Sequence, residues 1–69
     1  MATRRSVDEF GELDLVRLRT VIFDDARLIP AGSLGTVVFR HDAGEAYEVE
    51  FTEPYSAVVT LRPSDLAPV

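Results

Sequence analysis

Leu34-Gly35-Thr36-Val37-Val38-Phe39-Arg40, a turn at Asp42-Ala43-Gly44, and Tyr47-Glu48-Val49-Glu50-Phe51 together read as an antiparallel hairpin. The second arm alternates apolar and acidic residues, so one face is buried and the other is wet. Three-residue hairpin loops commonly end on a residue in the left-handed region, and Gly44 stands at that place. The register that follows sets Phe39 against Tyr47, Val37 against Val49 and Gly35 against Phe51, all facing inward. It sets Val38 against Glu48 and Thr36 against Glu50 on the outer face. A four-residue loop would turn Phe39 outward, and the three-residue form is therefore the expected one.

Working outward, Leu15 to Val21 alternates as well, with Val16 and Leu18 on one face and Arg17 and Arg19 on the other. This is the first strand. The segment from Phe23 to Gly32 reads as a loop too long for a hairpin and too apolar to stand free, folding back over the mouth of the sheet. Pro30 argues against a helix there, and Gly32 and Gly35 mark the re-entry into the second strand. On the other side Glu53-Pro54-Tyr55 is a turn. Ala57 to Leu61 is the fourth strand, its Val59 and Leu61 meeting Val49 and Tyr47. Pro63-Ser64-Asp65-Leu66 predicts one 3₁₀ turn with Leu66 as an inward plug, and Ala67-Pro68-Val69 a last short strand. The expectation is an all-β domain, a five-stranded SH3-like small barrel with a 3₁₀ turn before the closing strand. It occupies residues 13–69 behind a flexible arm at 1–12, which is polar and unpatterned apart from Val7 and Phe10.

With 69 residues and no cysteine, the chain is one domain near the lower size limit for folding without disulfides or metal. The absence of cysteine fits a cytoplasmic protein. The formal net charge is −5. Residues 13–69 hold five Arg and nine acids, so no basic domain lies behind an acidic tail. Binding to nucleic-acid phosphates rests on clustered cations, which are missing, so no nucleic acid is expected as a partner. No apolar run is long enough to span a bilayer, and no membrane partner is expected.

Residues 14–69 resemble a family of small bacterial proteins known only as a domain of unknown function. The resemblance is carried by Asp14-Leu15-Val16, Gly32 to Val38, Tyr47 to Phe51, and Thr60-Leu61-Arg62-Pro63-Ser64-Asp65-Leu66-Ala67-Pro68-Val69. It implies the small barrel and no particular biochemistry. The Gly32-to-Val38 centre is also similar, more weakly, to KOW-type barrels and to the barrel of nitrile hydratase β-like subunits.

Candidate chemistry is sparse. Ser33, Ser56 and Ser64 have no base nearby in sequence, and the one imidazole, His41, beside Asp42 and Glu45, reads as a solvated turn residue. No catalytic residue, cofactor or metal site is expected. Loops on a rigid scaffold carry most recognition, which singles out Asp24, Asp25 and Arg27. Glu45, Glu48, Glu50 and Glu53 form an acidic stripe along the third strand, suited to steering a basic partner, with Glu48 and Glu50 as its expected contact residues. Tyr55, at its turn, is either an exposed anchor or a cap on the core edge. The function expected is a non-enzymatic protein-interaction module, an accessory protein or an acidic inhibitor of the immunity or antitoxin kind. The alternatives are a KOW-like nucleic-acid binder and an accessory barrel of an enzyme. The expected partner is another protein with a basic surface, and an exposed sheet edge leaves a homodimer open.

Overall fold

The computed structural model describes residues 10–69, and the residues before Phe10 lie outside it. Seven strands and one 3₁₀ turn follow in order: β1 (Leu15–Leu18), β2 (Ile22–Asp24), β3 (Arg27–Ile29), β4 (Leu34–His41), β5 (Ala46–Phe51), β6 (Ala57–Leu61), the turn Pro63–Asp65, and β7 (Leu66–Pro68). Five of them form an antiparallel sheet in the order β6-β5-β4-β1-β7, and β2 pairs only with β3. The fold is all-β, as expected. No ladder joins β6 to β7, so among the described residues the hydrogen-bonded sheet is open at both ends.

The alternation in β1, β4 and β5 does what its period requires. Val16, Leu18, Val37, Tyr47, Val49 and Phe51 all point into one core, joined by Ile29, Leu61 and Leu66. Val49 lies between Val37 and Val59, and Tyr47 faces Leu61, the pairing that the apolar pattern anticipates. The 3₁₀ turn closes with Asp65 accepting from the Arg62 N–H at 3.0 Å, and it delivers Leu66 to the core as a fully buried plug opposite Leu18.

Three expectations need correction. The β4–β5 loop holds four residues, Asp42 to Glu45, with His41 paired to Ala46. The expected register nevertheless holds from Gly35 to Val37, because Val38 is an extra residue that forms a β-bulge. The bulge absorbs the one-residue slip and keeps Val37 and Gly35 facing inward. Beyond it Phe39 faces Glu48 and turns outward, 49% exposed, instead of meeting Tyr47.

The second correction lies at residues 22–29, which form a tight hairpin. Ile22 faces Ile29, Phe23 faces Leu28 and Asp24 faces Arg27. Its two turn residues, Asp25 and Ala26, have φ of 55° and 68°. Positive φ at both central positions is the twist that lets a two-residue loop join twisted strands.

Third, the end of the supposed arm is part of the core. Phe10 is only 5% exposed, packs edge-on against Tyr47 with ring centroids 5.6 Å apart, and donates its N–H to the Tyr47 hydroxyl at 3.0 Å. The rest of the arm, including Val7, lies outside the described residues.

Candidate functional site

The β2–β3 hairpin has two unlike faces. Ile22 and Ile29 turn toward the core, Ile29 fully buried, and this fixes the hairpin's base. On the other face the cross-strand pair Phe23 and Leu28 stands out in solvent, 70% and 48% exposed. Such a pair normally stabilises a hairpin by covering itself from water, and here it remains largely uncovered.

A second contact fixes the hairpin's orientation. The Arg27 guanidinium carbon sits 3.9 Å from the centroid of the Tyr55 ring, a cation–π contact that ties β3 to the β5–β6 loop. Tyr55 is half-buried and packs against the core cluster. It is therefore the core-edge cap and not the exposed anchor. Its hydroxyl is buried without a hydrogen-bond partner among the described residues.

This use of Arg27 has an electrostatic consequence. Asp24 faces Arg27 across the hairpin, yet no ion pair joins them, and Asp25 has no cationic partner among the described residues. Arg27 lies on the Tyr55 ring, and among the described residues neither carboxylate at the tip, beside Phe23, has an ion-pair partner. The structure thus brings Asp24, Asp25, Arg27 and Tyr55 into one unit. The apolar pair belongs to it too, and sequence reading missed it because a supposed loop has no faces.

At the hairpin's foot an open pocket of about 500 Å³ lies between Pro30, Leu34 and the Glu53–Pro54 loop. Arg17 lines it from β1, held by a 2.8 Å bond from its Nη1 to the Gly32 carbonyl.

Glu48 and Glu50 behave differently from each other, contrary to their reading as one stripe. Glu50 is exposed on the outer face between Thr36 and Val58. The Glu48 carboxylate is engaged: its Oε2 lies 2.7 Å from His41 Nε2 and accepts from Thr60 Oγ1 at 2.8 Å. His41, the last residue of β4, is half-buried against the Phe39 ring at 4.7 Å between centroids. It is a structural partner of Glu48, not a solvated turn residue. Among the described residues no group of three His, Cys, Asp or Glu side chains is placed to hold a metal ion, and no helix is long and apolar enough to cross a membrane.

The bonds from His41 and then Thr60 favour the charged carboxylate and hold Glu48 below its ordinary value of 4.5. A group whose folded value is depressed contributes stability that is full above the unfolded value and lost as pH falls through the folded one. Urea midpoints of the wild type should therefore fall more steeply than those of Glu48→Gln as the pH drops below the ordinary value of 4.5. Parallel curves would show that ionisation of Glu48 adds nothing to folding.

A family model described as "Domain of unknown function (DUF4926)" matches residues 12–68, and the chain belongs to that family. No curated protein and no solved structure matches it significantly.

Proposed function

We propose that this member of the family is a non-enzymatic protein-interaction module, an accessory protein or acidic inhibitor of the immunity or antitoxin kind, acting in the cytoplasm on a partner with a basic surface. The observation that carries the reading is the hairpin tip. Phe23 and Leu28 offer an apolar anchor on a two-strand support fixed at Ile29 and at Arg27–Tyr55. Exposed aromatics held rigidly by a scaffold are the usual centres of binding energy, because little conformational freedom is lost on docking. Asp24 and Asp25 beside them select a pocket rimmed with Arg or Lys, and the chain's charge of −5 speeds the encounter with such a surface. The scaffold itself is read as an SH3-like barrel. The strand order β7-β1-β4-β5-β6, the hairpin inserted after the first strand and the 3₁₀ turn before the last support that reading.

The test is capture of the partner from native lysate by immobilised protein, followed by measurement of its affinity for three variants. Phe23→Ser is expected to weaken binding at least tenfold at any salt, as loss of a central aromatic does. Asp24→Asn/Asp25→Asn should slow association and flatten its salt dependence. Glu50→Lys, remote from the tip, should leave affinity within about twofold. Binding that survives Phe23→Ser and fails with Glu50→Lys would move recognition to the outer sheet face. Glu48 is left out of the comparison because its replacement also removes the acceptor of His41 and Thr60.

A further inference from the structure

We propose that two copies of this chain join edge to edge through β6, making one continuous antiparallel sheet and leaving the hairpin tip free. Strand β6 ends the sheet: its one ladder is to β5, and no backbone bond from a described residue reaches its other side. A free edge offers a row of N–H and C=O groups to any extended chain. Monomeric proteins guard such edges with charges, proline, bulges or extreme shortness. The far edge, β7, is guarded: it is three residues long and ends in Pro68, which has no N–H. The five residues Ala57-Val58-Val59-Thr60-Leu61 carry no charge, proline or bulge, and Val58 is 56% exposed.

A second copy suits this edge because the strand is complementary to itself. A two-fold axis at Val59 sets Val59 against Val59, Ala57 against Leu61 and Val58 against Thr60, with each residue on its own face of the sheet. No charge meets a like charge. The acids paired across the ladder with β6, Glu48 and Glu50, sit one strand further in, on β5. The two β5 strands would lie three strand spacings apart, about 14 Å, which exceeds the roughly 8 Å screening length at physiological salt. Repulsion between two chains of charge −5 is then weak and weakens further with salt. A seam of five residues is small, so the association belongs to the weak class of interfaces.

Sedimentation of the full chain is expected to shift from monomer near about 10 μM to mostly dimer near about 1 mM, with tighter association in added salt. Val58→Lys, the kind of guard that edges normally carry, should raise the dissociation constant at least tenfold with an unchanged circular dichroism spectrum. Phe23→Ser should leave the constant unchanged. Hydrogen exchange on the wild type is a readout that needs no variant: alternate β6 amides should become protected at high concentration and no β7 amide should. A monomer at every concentration overturns the proposal. So does a dimer that resists Val58→Lys, one abolished by Phe23→Ser, or one that leaves β6 amides unprotected. Loss of this dimer leaves the tip's recognition of a basic partner untouched, since that binding is measured separately.

Discussion

Gly35→Ala should lower the stability of the fold by about 3 kcal/mol or more. A methyl group built on Gly35 would lie 2.5 Å from Val49 Cγ1, 3.0 Å from the Phe51 ring and 3.2 Å from the Glu50 carbonyl. Val49 and Phe51 are themselves fully buried and have nowhere to retreat. Close-packed cores meet one extra methylene at a cost of about 1–3 kcal/mol, and this site is at the upper end because backbone also stands in the way. A chain of this length has only about 3–10 kcal/mol in hand. Urea denaturation followed by circular dichroism measures the effect. Gly32→Ala serves as the contrast: its φ of +91° strains an L-residue, but no atom lies within 4 Å of the added carbon. It should cost about 1 kcal/mol. A Gly35→Ala protein as stable as the wild type would mean that β4 does not approach β5 as described.

Phe10→Ala should cost about 3 kcal/mol or more, the usual effect of emptying a buried aromatic site. The side chain is almost fully buried, and its edge contact with Tyr47 would go with it. The N–H bond to the Tyr47 hydroxyl is made by the backbone and survives the substitution, so the loss reports packing alone. Thermal and urea unfolding of Phe10→Ala against Glu12→Ala, on the exposed side of the same segment, measure it. Equal stability of the two variants would return residue 10 to the arm.

Phe10 illustrates where sequence reading ran out. One phenylalanine in a polar segment has no period, and its burial depends on a gap beside Tyr47 that only the assembled sheet creates. Residues 35–37 and 47–51 were legible because alternation and a buried face fix register together. The slip at Val38 was not, since a bulge leaves no mark in an all-apolar run such as Val37-Val38-Phe39. The β2–β3 turn was missed for a related reason. Asp-Gly or Asn-Gly announces two positive φ angles, whereas Asp25-Ala26 conceals them behind a residue that seldom adopts that conformation. Once the hairpin is recognised, Phe23 and Leu28 fall on one face and Ile22 and Ile29 on the other by period two alone. The pairings of the charged residues were not readable: Arg27 goes to an aromatic ring 28 positions away and Glu48 to His41 across the sheet.

Recognition by the hairpin tip is tested most directly by placing a photocrosslinking amino acid at position 23 in the full-length protein and irradiating it in its native cell. The same residue at position 38, in the bulge on β4, is the comparison. A discrete crosslinked protein at position 23, absent at 38 and lost when Asp24 and Asp25 are replaced by Asn, is the predicted result. Crosslinks at 38 and none at 23, or a product at 23 that forms equally without the two aspartates, would contradict it.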